Sequence, residues 1–246
     1  GWSHLAGPSG LSKDTRRVAF NIISGTSMSC PHVSGLAALV KAAHRDWSPA
    51  AVRSALMTTA STSYADGEPI LDVATGRPST PFDYGAGHVN PVSALDPGLV
   101  YDLTVDDYLG FLCALNYSGV QVRIISGRNM TCESSSLADF NYPSFSVPLP
   151  TAVEDDVANG VVTKVYRRVL TNVGSPGTYT ATLSSLPDEV KVTVDPAALT
   201  FGENEKKSFS LKFEGSSMAS GTVRFGRLEW SDGKHIVGSP IAFRWT

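Results

Sequence analysis

The stretch NIISGTSMSCPHVSGLAAL, residues 21–39, runs from an apolar lead through a tight polar turn into a helix. Val33, Leu36, Ala37 and Val40 follow the i, i+3, i+4, i+7 spacing of one helical face. Ala38, Leu39 and Ala43 make the other side apolar as well, so the helix is expected to be buried nearly all round. The Ser24-Gly25 turn then puts Ser27 at the helix N-terminus. Unpaired N–H groups and the positive end of the helix dipole gather there, suited to holding an oxyanion on a substrate carbonyl. Gly25 leaves room for a substrate backbone to approach. The same residues also fit a serine that merely caps a core helix. Periodicity alone leaves both readings open.

Working outward, His44, Arg45 and Asp46 end this helix, and Ser48-Pro49 starts another as an N-cap followed by a proline at the first helical position. That second helix runs through Val52, Ala55, Leu56 and Thr59 to a loop from Ser61. Gly- and Pro-rich loops follow at 83–91 and 96–102, and a short amphipathic helix is expected from Asp106 to Leu115. From about Asp139 the period changes to two. Val190, Val192 and Val194 alternate with polar residues until Asp195-Pro196; Phe209, Leu211 and Phe213 alternate; Leu228 and Trp230 lead into the hairpin signal Ser231-Asp232-Gly233-Lys234. Ile241, Phe243 and Trp245 close the chain in the same way. With strands near 163–170 and 178–183, about seven short strands are expected, an all-β sandwich of the immunoglobulin or fibronectin type III kind. Phe209, Phe213, Phe225, Trp230, Phe243 and Trp245 are read as its core, and the acidic run Glu154 to Asp156 as a solvated loop.

The 246 residues are 42% hydrophobic and 17% charged with a formal net charge of -3, which argues against nucleic acid or an anionic membrane as a partner. No apolar run reaches the roughly 18 residues of a membrane-spanning helix. The opening GWSHLAGPSG has no initiator Met, charged n-region or apolar h-region, as in a fragment or one piece of a processed precursor. Cys113 and Cys132 enclose two glycosylation sequons, at Asn116 and Asn129. Together these favour a secreted chain over a cytosolic one with buried thiols. A Cys113–Cys132 disulfide would close a loop of about 20 residues, worth roughly 3 kcal/mol. Cys30 is left as a buried small residue or the partner of a cysteine elsewhere.

GTSMSCPH, residues 25–32, resembles the nucleophile signature of subtilases, and its continuation resembles the plant, cucumisin-like branch. So do SPAAVRSALMTTA (48–60), FDYGAGHVNP (82–91), DPGLVYD (96–102), DYLGFLCALNY (107–117), NYPSFSV (141–147), LTNVG (170–174) and EWSDGKHIVGSPIAF (229–243). Ser29 stands where a G-x-S-x-G elbow would need its last glycine, so an α/β-hydrolase is disfavoured. The resemblance implies an α/β fold over residues 1–110, the C-terminal part of a subtilisin-like catalytic domain. A disulfide-closed glycosylated connector at 111–138 and a fibronectin type III-like sandwich at 139–246 follow.

The resemblance makes Ser27 the nucleophile and its backbone N–H an oxyanion donor. The family's chain order of Asp, His, Ser puts the other triad members, with an oxyanion Asn, on an N-terminal portion of the same protease, which becomes a partner beside the polypeptide substrate. His32 is expected to point away from Ser27, His88 to bond locally, and His4, His44 and His235 to be surface or loop residues. No metal or cofactor is expected; Asp106 and Asp107 open a helix and Asp102 lies in a turn. The location implied is extracellular, in the apoplast or cell wall. The competing reading is a non-catalytic fragment whose β-sandwich binds a partner.

Overall fold

The computed structural model describes residues 7, 9, 11–18, 22–129, 131–132, 136–151 and 161–246. The Glu154–Asp156 loop and His4 lie outside them. Helix α1 (Thr26–Ala43) begins after the N-cap Gly25 and ends at His44, whose N–H donates to Val40 O. Helix α2 (Pro49–Thr58) starts as its sequence dictates: Ser48 Oγ accepts the Ala51 N–H at 3.0 Å and Pro49 occupies the first turn, where a missing N–H costs nothing. Ala51, Val52, Ala55 and Leu56 of α2 close a small core with Val40, Trp47, Ala94 and Val100. Short helices α3 (Pro81–Tyr84) and α4 (Pro91–Leu95) follow, each with a proline in its first turn.

The expectation that α1 is buried nearly all round is not met within this chain. Val40 is its one buried residue, and Leu39 is 64% exposed. Among the described residues only α2 and α4 make appreciable contact with it, so one side is covered and the rest is bare.

Strand β1 (Leu99–Val100) leads to α5 (Val105–Ala114), which carries a full capping box between Thr104 and Asp107. The boundary expected between residues 110 and 111 falls inside this helix. Helix α6 (Gly119–Ser126), absent from the sequence reading, lies within the connector. Cys113 and Cys132 are bonded and pack with Leu109 and Val122 as a satellite core.

The remaining strands are β2 (Phe145–Leu149), β3 (Val162–Asn172), β4 (Gly177–Ser184), β5 (Val190–Asp195), β6 (Ala198–Phe201), β7 (Lys206–Gly215), β8 (Val223–Ser231) and β9 (Ile236–Trp245). They form two sheets, ordered β1-β3-β7-β5 and β2-β9-β8-β4-β6, antiparallel except where β2 runs parallel to β9. Alternating residues from both sheets fill the space between them, with Trp230, Trp245, Phe213, Phe243, Leu211 and Leu228 fully enclosed. Phe225 is a correction to the expected core. It faces out of the sandwich and meets Phe82 of α3 edge to face, with ring centroids 5.0 Å apart.

The two halves are stitched together. Leu99 and Val100 pair with Asn172 and Thr171 of β3, so a strand from the helical half completes a sandwich sheet. Ser54 Oγ of α2 accepts the Tyr101 N–H at 2.8 Å, and Ser239 Oγ of β9 donates to Tyr101 Oη at 3.0 Å. Buried Arg168 of β3 donates to the carbonyls of Tyr142 and Ala138 and lies over the Phe145 ring. One guanidinium thereby holds the approach to β2, because a buried cation must spend its donors on fixed acceptors.

Candidate active site

Gly25 caps α1 without a side chain, and its carbonyl accepts the N–H groups of Met28 (2.9 Å) and Ser29 (3.2 Å). Ser27 is therefore the second helical residue and not a side-chain cap, which removes the bland alternative for this position. Its side chain is exposed, and among the described residues neither its Oγ nor its N–H makes a hydrogen bond. The N–H is free because the first turn of any helix lacks acceptors. Among the described residues a Cβ added to Gly25 would meet nothing nearer than Met28 Sδ at 3.7 Å, so they leave the approach to the turn open.

Pro31 lies inside the helix and has no N–H to offer Ser27's carbonyl four residues back. Two side chains brace the turns that follow. His32 Nδ1 lies 2.6 Å from Met28 O, and Ser34 Oγ donates to Cys30 O at 2.9 Å. The His32 ring is thus tied to its own helix, in keeping with the expectation that it points away from Ser27. Cys30 is exposed and free, not the buried residue its size allowed.

An open cleft separates the start of α1 from the 83–89 loop, with Ile23, Ser24, Gly25 and Met28 on one wall and Asp83, Tyr84, Gly87 and His88 on the other. Gly87 has φ +128°, and a Cβ there would overlap the Ser61 carbonyl carbon, so this wall requires glycine. His88 exchanges two backbone hydrogen bonds with Ser61, both 2.8 Å, while its ring lies 5.8 Å from that of Tyr64. The local bonding expected of it is made by its backbone. His44 stacks on Trp47 at 3.8 Å and its Nε2 meets Leu95 O at 2.8 Å. No hydrogen bond joins a described histidine to Ser27.

His235 lies in the β8–β9 loop, one of the two places expected of it, but not on the surface: its side chain is 10% exposed and wedged between Asp232 and Asp96. No sequence signal pointed to this, because Asp96 comes from the other half of the chain.

The carboxylates near α5 have structural tasks. Asp107 closes the capping box, Asp106 lies 3.5 Å from Arg128, and Asp102 accepts from Ser48 Oγ and the Leu103 N–H. Among the described residues, no group of three His, Cys, Asp or Glu side chains is arranged to hold a metal. Asn116 and Asn129 are exposed, on either side of α6.

Residues 1–87 match the Subtilase family, and residues 139–243 match a fibronectin type-III domain. Subtilisin-like protease SBT1.7 of Arabidopsis thaliana is 59% identical over 250 residues, covering 100% of this chain and 32% of its own length. The chain belongs to the subtilase family. Subtilisin-like protease SBT1.4 of Arabidopsis thaliana is 47% identical, with 100% of this chain and 32% of its own length covered. Subtilisin-like protease Glyma18g48580 of Glycine max is 43% identical, with 99% and 30% covered. This subtilase chain spans about a third of the length of the curated relatives it matches. Helices α1 to α3 fall in the first matched region and strands β2 to β8 with most of β9 in the second, while α4, β1, α5 and α6 lie between them.

Proposed function

We propose that this chain carries the nucleophile of a subtilisin-like serine endopeptidase. Ser27 Oγ attacks the scissile carbonyl of a polypeptide while an imidazole takes its proton, and the resulting acyl-enzyme is hydrolysed by water. The Ser27 N–H is one donor to the oxyanion, placed by the first turn of α1. An N-terminal portion of the same protease is the partner that supplies the triad Asp and His and an oxyanion Asn. The observation that carries this reading is an exposed Ser27 whose hydroxyl and N–H make no hydrogen bond among the described residues, inside a chain whose whole length aligns with relatives named as proteases.

The test is a fluorophosphonate probe on the full-length assembled protein. Ser27 labels in the wild type and not in Ser27→Ala, and peptide hydrolysis falls by at least about a thousandfold in the variant. An assembled wild type that never labels would sink the reading. The rival, a free-standing sandwich module, is disfavoured by the bare apolar side of α1, a surface that soluble monomers seldom leave open.

The chain passes through the secretory pathway and works outside the cell, in the apoplast or wall. The Cys113–Cys132 bond and the exposed sequons at Asn116 and Asn129 support that reading. Glycosidase treatment lowers the apparent mass of the plant protein, and Asn116→Gln with Asn129→Gln abolishes the shift. An unshifted wild type counts against secretion by this route.

A further inference from the structure

The turn between β8 and β9 reaches across to the C-terminal end of α4. Asp232 Oδ1 accepts the N–H groups of Lys234 (2.9 Å) and His235 (2.6 Å), which fixes the turn. Its Oδ2 lies 2.8 Å from His235 Nδ1, and Tyr179 Oη of β4 stands 3.3 Å from the same nitrogen. On the far edge of the ring is Asp96, the residue that ends α4. Its Oδ2 lies 3.1 Å from His235 Nε2 and 2.8 Å from Lys234 Nζ. Nε2 is buried, and its contact with Asp96 is at ion-pair distance without hydrogen-bond geometry. Gly98 makes space for the ring, since a Cβ there would come within 2.9 Å of His235 Cγ.

The protonation state decides what this contact does. Both ring nitrogens face a carboxylate, which only accepts, and the neutral ring has one proton to give; it sits on Nδ1, which has hydrogen-bond geometry to Asp232 at 2.8 Å where Nε2 has none to Asp96. Nε2 then turns a lone pair toward the Asp96 carboxylate, acceptor against acceptor. A proton on Nε2 converts that opposition into a cation held between two carboxylates.

We propose that His235 is a pH-sensitive latch between the two halves: protonated, it clamps the β8–β9 turn of the sandwich to Asp96 at the end of α4, and neutral, it lets go. The proposal does not depend on the role of Ser27.

The charged groups around the ring are Asp232 and Lys234 on its own turn and Asp96 from α4, and the neutral Tyr179 hydroxyl from β4 stands beside them. Arg227 and Glu229 of β8 share the adjoining cleft but bond each other at 2.7 Å. Burial by itself disfavours the charged ring, but Asp232 and Asp96 outweigh it and hold the imidazole above its ordinary value of 6.5. Lys234 and His235 in turn hold Asp96 below the usual carboxylate value. Because the folded value is raised, the latch is fully closed below about pH 6.5 and is lost as pH climbs through the folded value. Lys234 adds a second contact to Asp96 from the same turn, one that does not run through the imidazole.

Hydrogen exchange of the full-length protein between pH 5 and 8.5, corrected for intrinsic rates, reads the latch in peptides spanning 231–236 and 94–100. In the wild type, opening of both segments rises roughly two- to fivefold with pH, the size expected of a partly exposed ion pair. Asp96→Asn and His235→Gln flatten the profile, while Lys234→Gln raises opening at every pH and keeps the slope. Asp96 is 54% exposed, so its variant disturbs no core and decides the matter even if His235→Gln folds poorly. A flat wild-type profile, or a slope that survives Asp96→Asn, overturns the latch.

Discussion

Asn172 ends β3 with no accessible surface, and its amide does the work of a short strand. Nδ2 donates to Ser175 O (3.1 Å) and Gly202 O (2.9 Å), while Oδ1 accepts the Gly174 N–H at 3.1 Å. The turn that follows β3 is thereby tied to the segment after β6, at the corner where β1 enters the sheet. Truncation to alanine leaves two carbonyls and one N–H to find other partners in a dry site, and unmade buried hydrogen bonds are costlier than made ones are helpful. Asn172→Ala is expected to destabilise the protein by about 2–3 kcal/mol, read as a lowered thermal midpoint. An unshifted midpoint would mean that water fills the site. Asn172→Asp is expected to be worse, because it replaces two donors with a charge that the same carbonyls repel. The sequence marks this residue only through the LTNVG resemblance. Nothing in its local pattern shows an amide reaching the segment after β6, because Gly202, and Glu205 whose carbonyl takes its backbone N–H, become neighbours only once the sheets close.

Among the elements, those with strong local signals could be read in advance. Ser48-Pro49 fixed the start of α2, and alternation in 190–194, 209–213 and 241–245 marked β5, β7 and β9. The elements that escaped are those whose reason is tertiary. Strand β2 contains Pro148 and is held by parallel pairing with β9, and β6 is four residues long. Helix α6 is only eight residues long, opens on a glycine and leaves Val120, Ile124 and Ile125 exposed, so its apolar residues do not mark a buried face. What retains α6 is its capping box, one buried valine and the disulfide behind it. Cys132→Ser is therefore expected to cost about 3 kcal/mol in that unit by the chain-entropy account. Because the satellite core is so small, the loss is local. Limited trypsin digestion should cut first at Arg123 or Arg128 in the variant, with the sandwich intact. Cleavage at wild-type rates would show that the bond is dispensable.

At the scale of the whole molecule, the mismatch between the pattern and the surface of α1 carries the most weight. Its sequence is apolar on both sides, which is how a helix reads when every face is to be covered. Yet Ile22 and Ile23 just before it are 102% and 54% exposed, and Leu39 and Val33 are 64% and 40% exposed. The apolar groove between α1 and α2, lined by Val33, Ala37, Val52 and Leu56, is equally open. The apolar pattern and the bare surface are reconciled if other chain segments belong on this face, in line with relatives about three times as long. The sandwich, with its own two-sheet core, makes no such demand. Residues 1–246 expressed alone should therefore bind an apolar dye and associate on gel filtration, driven by the helical half. Leu39→Lys with Ile23→Ser should reduce both effects, since each substitution breaks the patch without touching a buried contact. In the full-length protein the same pair should be destabilising by about 2–4 kcal/mol, because there the side chains are covered. A monodisperse, dye-silent chain, or a full-length protein indifferent to both changes, would show that α1 needs no cover, and would return the free-standing module to the front.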